Sequence, residues 1–454
     1  MLRSLSRIFK RDKEPFKVPR TVQDVIPIKR IYTDGIWQVG NKYSKCWKFS
    51  DINYATASRA DKKAMFLSYE DLLNTFDSSA TTKLTISNKR MNKQEFEDSI
   101  LLPMQNDRYD EYRREYNDTL LSKVTTVSNS IVQERFITVS INARDIEEAR
   151  SYFIKTNAEL STYFAKLSSA CVELNSVERL RIFHDFFRQG EESEFAINLP
   201  ALMRQGRSFR DYICPDTFEF NADYFKMGEQ YGRVFFLKDY ASYIKDSFVA
   251  DLCSLSRNLF FSVDIIPVPT DEAVREIENK LLGVETNITN WQRRQNANNN
   301  FSAVIPYDLE QQRKETKEYL EDLTNRDQRM MFALVTMVLS ADSKDQLERD
   351  TKMLKSIAGK HLCQLSVLKY QQMDGLVTAL PYGLRRINAM RTLTTESTAI
   401  LMPFRAHEIM EPGGTYCGMN AISNNLIIAN RKNLLNGNGF ILGASGSGKT
   451  TIGR

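Results

Sequence analysis

Apolar and polar residues alternate along this chain in two rhythms, and the switches between them mark its elements. From residue 25 to 49 the rhythm is two: Ile26 and Ile28, then Tyr32, then Ile36, Trp37 and Val39 after Asp34-Gly35, then Cys46, Trp47 and Phe49. That alternation, broken by a glycine turn, predicts a meander of short strands. Residues 61–76 place apolar side chains at helical spacing and predict an amphipathic helix. Residues 83–86 predict a strand and 107–131 a long polar helix.

A recurrence then appears. F-I-T-V-S-I at 136–141 predicts a strand, 145–168 a helix and 171–174 a second strand. Residues 233–237, 240–256 and 259–266 resemble that order, and 331–339 (M-F-A-L-V-T-M-V-L), 343–358 and 361–368 repeat it. Three strand–helix–strand units predict an α+β domain of split βαβ, ferredoxin-like character, from duplication or from the general commonness of such units. Between the second and third units lie a helix at 271–294, the polar run Q-N-A-N-N-N at 295–300 and a charged helix at 308–325. They predict an exposed helical hairpin insertion, which either docks a partner or is simply solvated.

The pattern changes again near the C-terminus. L-I-I-A at 426–429 is β-rich, N-G-N-G at 436–439 is a turn, and Phe440-Ile441-Leu442 is a short apolar strand entering G-A-S-G-S-G-K-T at 443–450. Gly443, Gly448, Lys449 and Thr450 match the phosphate-loop pattern G-x-x-x-x-G-K-[ST]. The chemistry needs these residue types. Glycines at 443, 446 and 448 let the backbone turn tightly, so that N–H groups along Gly443, Ala444, Ser445, Gly446, Ser447 and Gly448 face the phosphates. A helix starting near Lys449 adds its N-terminal dipole. Lys449 reaches the β- and γ-phosphates and is the candidate catalytic residue, the Thr450 hydroxyl binds Mg²⁺, and Thr451 adds a further hydroxyl. ATP and Mg²⁺ are the expected cofactors, and 426–429 is the expected first strand of the nucleotide-binding domain.

Composition narrows the alternatives. With 454 residues, 42% hydrophobic and 26% charged, the chain has ordinary globular composition and room for two or three domains. Seven of its 62 basic residues and two of its 57 acidic ones fall in the first 20 positions, which accounts for the whole net charge of +5. The remainder is balanced, which disfavours extensive DNA binding. Leu2, Leu5, Ile8 and Phe9, with Arg3, Arg7 and Lys10 between them, form a short basic amphipathic segment. It suits either a weak contact with an anionic leaflet or a solvated tail. Nothing approaches the roughly 20 apolar residues of a membrane span, and the N-terminus does not resemble a signal peptide. The six cysteines form no CxxC pair and there are only three histidines, which disfavours a zinc site or a disulfide framework and fits a reducing compartment. His184, set among Phe183, Phe186 and Phe187, reads as packing, and the carboxylate pairs Glu147-Glu148 and Glu191-Glu192 read as solvated.

The order of further landmarks is similar to that of a known family. R-L-R-I-F-H-D-F-F at 179–187, D-Y-I-C-P at 211–215, Gln372 followed by L-P-Y-G at 380–383, L-M-P-F at 401–404, G-M-N at 418–420 and the loop at 443–450 together resemble the conjugal-transfer ATPases of bacterial type IV secretion systems. The likeness is to the VirB-four class of conjugative plasmids and integrative elements, from about residue 25 onward. The resemblance implies an α+β docking domain at 23–405 and the start of a RecA-like α/β P-loop domain at 406–454, behind the basic segment at 1–22 that either contacts a membrane or is solvated. It also implies a cytoplasmic protein peripherally attached to the cell membrane. Its partners would be inner-membrane components of the secretion complex and further copies of itself, as a hexamer, and its work would be powering DNA or protein transfer or pilus assembly. Such motors carry an acidic Mg²⁺-binding strand, a catalytic glutamate and an intersubunit arginine beyond the first helix of the P-loop domain. None of these has a counterpart before Arg454, so this chain by itself is expected to be inactive in hydrolysis. A non-catalytic scaffold of the secretion complex and a DNA-pumping coupling-type ATPase are the alternatives.

Overall fold

The computed structural model describes residue 12 and residues 18–90, 93–126, 131–241, 243–298, 300, 304–440 and 442–443. In chain order the elements are β1 (Arg30–Ile31), β2 (Trp37–Val39), β3 (Lys42–Phe49), α1 (Arg59–Thr75), β4 (Ala80–Arg90), α2 (Lys93–Ile100), α3 (Asp110–Thr126) and β5 (Ile131–Asn142). Next come α4 (Ile146–Lys166), β6 (Cys171–Glu173), α5 (Ser176–Phe187), α6 (Leu199–Arg204), β7 (Phe218–Phe220), β8 (Phe225–Met227), β9 (Gln230–Asp239), α7 (Phe248–Leu252) and β10 (Leu259–Pro267). The rest are α8 (Thr270–Ala297), α9 (Tyr307–Asn325), β11 (Met330–Ala341), α10 (Lys344–Lys360), β12 (Gln364–Val367), α11 (Gln372–Ala379), β13 (Arg391–Thr394), α12 (Thr395–Ala399), β14 (Thr415–Met419) and β15 (Leu426–Ala429). The chain is a mixed α+β protein. It divides into two compact units, residues 1–90 with 132–406 and residues 91–131 with 407–454.

The first unit is built on a 13-stranded antiparallel sheet. Four strand–helix–strand units lie in it, where the pattern along the chain predicts three. β3 pairs antiparallel with both β5 and β6, which therefore run parallel on its two sides. β9 stands in the same relation to β11 and β12. The order β6-β3-β5-β4 is thus matched by β12-β9-β11-β10, and the two halves join where β4 and β10 pair, from Leu259 opposite Asn88 to Ile265 opposite Thr82. The match extends outward. β1-β2 pairs on the start of β3 as β7-β8 does on β9, and both halves carry a two-helix insertion between their second and third strands, α2-α3 in one and α8-α9 in the other.

Burial follows from this arrangement. Every residue of β10 and β11 is buried, because helices cover both faces of the seam. On one face Leu84, Ile86, Val263, Ile265, Val335 and Met337 pack with Leu72, Phe153 and Leu354 of α1, α4 and α10. On the other, Phe260, Leu334 and Val338 pack with Leu180 and Phe183 of α5 and with Leu376 and Val377 of α11. Gly375 lets α11 lie directly on the sheet, since a Cβ there would stand 2.8 Å from Val234 Cγ1 and 2.6 Å from Leu368 Cδ1.

Two expected helices are shorter than their patterns. The segment 240–256 is helical only over Phe248–Leu252, and turns at Ser247 and Cys253 let its apolar residues reach the core without helical geometry. The helix expected over 107–131 is Asp110–Thr126, and Ile131 already opens β5. No described helix is long and apolar enough to cross a membrane.

In the second unit, Phe96 and Ile100 of α2 and Leu120 of α3 form one apolar cluster with Leu426 and Ile428 of β15. Tyr416 N–H donates to Tyr116 Oη at 2.9 Å, and β14 and β15 form a two-stranded antiparallel sheet. Residues 91–131, placed by pattern inside the N-terminal domain, therefore share a core with the segment that leads to Gly443.

Candidate functional site

Of the residues expected to bind nucleotide, Gly443 alone is among those described, and it lies in no regular element. Ala444, Ser445, Gly446, Ser447, Gly448, Lys449, Thr450 and Thr451 lie outside the described residues, as do residues 1–11 of the basic segment. The expected strand at 440–442 forms no ladder at Phe440 or Leu442, which are 92% and 89% exposed. A three-residue apolar strand of an α/β sheet is held by parallel neighbours and by helices on both faces. The described residues provide it with neither, and no parallel P-loop sheet is seen among them.

The structure instead brings together the other landmarks. α5 carries Arg179, Phe183, Phe186 and Phe187, and its start is held by a capping box in which Asn175 Oδ1 accepts from Glu178 N–H and Glu178 Oε2 accepts from Asn175 N–H. α11 ends in Leu380-Pro381-Tyr382-Gly383, which crosses the same face of the sheet. A helix C-terminus leaves its last carbonyls unpaired, and here side chains from the sheet and from α5 supply the donors. Lys83 Nζ donates to Thr378 O, and Ser262 Oγ donates to Ala379 O at 2.6 Å. Tyr382 N–H donates to Leu380 O at 2.7 Å. Arg179 Nη2 donates to Pro381 O at 3.4 Å, Ser44 Oγ to Tyr382 O at 3.0 Å and Ser140 Oγ to Gly383 O at 2.8 Å. Six consecutive carbonyls are satisfied.

Three buried charged groups belong to this cradle. Lys83 Nζ lies 2.6 Å from Asp264 Oδ2, with both side chains only 1% exposed. Register places them directly opposite on β4 and β10, with the Thr85–Ser262 hydroxyl pair at 3.0 Å beside them. Burial pushes the Lys83 ammonium down and the Asp264 carboxyl up, each opposed by the other's charge. Among the described residues Arg179 has no carboxylate partner. Its Nη1 donates to Gly35 O at 2.8 Å and Ser44 O at 2.9 Å, and its guanidinium lies 4.0 Å from the Trp37 ring centroid. Burial pushes its pKa down to about 10, so it remains charged at neutral pH. Trp37, Phe183 and Tyr382 complete the cradle, the last two stacked at 4.3 Å.

Gly383 is the tightest point. Its φ is +78°, and a Cβ would stand 2.3 Å from Ser140 Oγ and 2.8 Å from Ser44 Cβ. Gly383→Ala is expected to destabilise the first unit by about 2–4 kcal/mol, from the left-handed backbone and the overpacking together. A urea midpoint within experimental error of the parent's would show that the loop can move away.

The landmark at 401–404 is fastened separately. Arg135 Nε donates to Pro403 O at 2.7 Å and its Nη2 meets Asp51 Oδ2 at 2.5 Å, while Asp51 accepts from the N–H groups of Arg405 at 2.8 Å and Ala406 at 3.0 Å. His184 is buried, with its ring 4.9 Å from that of Phe195. Glu147 pairs with Arg150 and Glu191 with Arg188, while Glu148 and Glu192 cap the nearby N–H groups of Arg144 and Gly190. Among the described residues no cluster of three or more His, Cys, Asp or Glu is suited to a metal ion.

Sequence reasoning missed Lys83, Asp264, Ser44 and Ser140. In T-T-K-L-T-I-S the alternation does set Lys83, Thr85 and Ser87 on one face, which reads as the solvent side until α11 is known to cover it. The cradle contains no exposed nucleophile, so its chemistry is that of a structural joint. No protein-family model and no curated protein matches the chain.

Proposed function

We propose that the chain is the docking region and phosphate loop of a traffic ATPase of the type IV secretion, conjugal-transfer kind, peripherally attached at the inner side of the cell membrane. The observation that carries the reading is G-A-S-G-S-G-K-T at 443–450 behind an apolar tripeptide. In it, Lys449 and the loop N–H groups bind the phosphates of ATP, Thr450 ligates Mg²⁺, and Thr451 lies beside them. When bound, ATP supplies the free energy of phosphoryl transfer, and the chain's own contribution is to hold and orient it. The strand order 4-1-3-2, occurring twice, supports reading 23–405 as two ferredoxin-like modules, with the α8-α9 hairpin as an insertion. The joining of 179–187 to 380–383 in one cradle gives those landmarks a shared physical role, which supports the family reading. Residues 406–454 are then the start of a RecA-like domain that works in the complete protein as a hexamer on inner-membrane secretion components.

Binding of a fluorescent ATP analogue in the presence of Mg²⁺ tests this. The parent is expected to bind, and Lys449→Ala to weaken binding or turnover in the complete reading frame by about a hundredfold. Nucleotide affinity and turnover that ignore Lys449 would overturn the ATPase reading and leave a scaffold.

A further inference from the structure

We propose that the outer face of α10, with the turn that ends it, is a docking surface for an anionic lipid membrane. Charge outside the first 20 residues is balanced along the chain as a whole, but not here. Between residues 349 and 370 stand Arg349, Lys352, Lys355, Lys360 and Lys369, all exposed. The one carboxylate in that interval, Asp350, is buried and accepts from Arg257 Nε at 2.9 Å. Among the described residues, Lys352, Lys355, Lys360 and Lys369 form no salt bridge. Of the acidic groups around it, Glu348 pairs with Arg233 and Asp251 with His361, while Asp345, one turn before Arg349, is exposed at the start of the helix. On the helix, Arg349, Lys352, Met353, Ser356 and Lys360 fall on one stripe, opposite the buried Leu347, Leu354 and Ala358. Met353 is 53% exposed in the middle of that basic stripe.

The turn supplies the second observation. α10 closes with Cys363 N–H donating to Ala358 O and Leu362 N–H to Gly359 O, both at 3.0 Å, which leaves Leu362 at φ +57°. Glycine is the usual residue there, because a side chain strains the left-handed backbone. Leu362 nevertheless holds the position with 82% of its surface exposed. The equivalent helix of the first module, α4, closes through the same pair of bonds, with Ser168 at φ +57°. The outer face of α4 mixes its charges, as in the Lys155–Glu159 pair. One module thus carries a helix of mixed charge closed by an exposed serine, and the other a basic stripe closed by a solvent-facing leucine. Basic residues on a flat face attract anionic headgroups, and exposed Met353 and Leu362 enter the acyl boundary beside them.

The inference rests on the membrane-peripheral part of the reading above and is independent of its nucleotide part. The test is co-sedimentation of the whole chain with phosphatidylcholine vesicles, with and without about a third phosphatidylserine. The parent is expected to bind the anionic vesicles and release them at high salt. The Lys352→Glu/Lys355→Glu/Lys360→Glu variant should bind at least about a hundredfold more weakly, at roughly fivefold per basic group. Leu362→Gly should bind about tenfold more weakly while unfolding at a higher temperature, a combination that a purely structural leucine would not give. Lys449→Ala should bind as the parent does. Failure of the parent to bind any vesicle would remove the peripheral-membrane reading itself. Undiminished binding by the triple variant would overturn this surface and assign the contact to residues 1–20, and capture of polyglutamate in preference to vesicles would replace the lipid with an acidic protein.

Discussion

Lys83→Met and Asp264→Leu, made singly, are each expected to lower the stability of the first unit by about 3–5 kcal/mol, because each strands an opposite charge at a site that is 1% exposed. The pair sits where β4 of one half meets β10 of the other, so the loss appears as loosening of the seam. Hydrogen exchange at the amides of 82–88 and 259–265 should accelerate together. The double variant should recover most of the loss and fall within about 2 kcal/mol of the parent, because two apolar side chains remove both desolvation costs and leave chiefly Thr378 O without its donor. If the two single losses simply add in the double variant, the ammonium and carboxylate are not coupled and the seam is held by packing alone.

Arg179→Ala is expected to cost about 4 kcal/mol, from the donors lost to Gly35 O, Ser44 O and Pro381 O and the void left against Trp37. Arg179→Lys should recover less than half of that. An ammonium keeps the charge but cannot span carbonyls from three segments as the planar guanidinium does. The midpoint of urea unfolding measures the loss. A lysine variant as stable as the parent would show that charge, and not the fork geometry, is what the cradle requires.

Much of the first unit was legible as pattern. The strand at Met330–Ala341 and the helix at Lys344–Lys360 fall within two residues of expectation, because an apolar run and a helical stripe each have a single way to be buried. The strand–helix–strand recurrence was legible for the same reason. Its fourth copy, β3-α1-β4, was hidden because Ala80–Arg90 is half polar: Lys83, Thr85 and Ser87 face the cradle, not solvent. Phe440 and Leu442 show the opposite failure, since apolar character predicts a strand but a ladder needs a partner.

The candidate site divides along the same line. Gly443, Lys449 and Thr450 stand out because the phosphate-loop pattern is local, eight consecutive residues. The cradle was not, because Lys83 and Thr378 are 295 positions apart and Ser44 and Tyr382 are 338 apart. By itself the sequence determined the local elements, the charge balance and the phosphate-loop signature, since propensity, periodicity and backbone chemistry act over a few residues. Tertiary structure alone decided which polar faces are buried, that two matching halves meet at β4 and β10, and that residues 91–131 share a core with 407–429. Those outcomes depend on which surfaces meet, a property no short window of sequence contains.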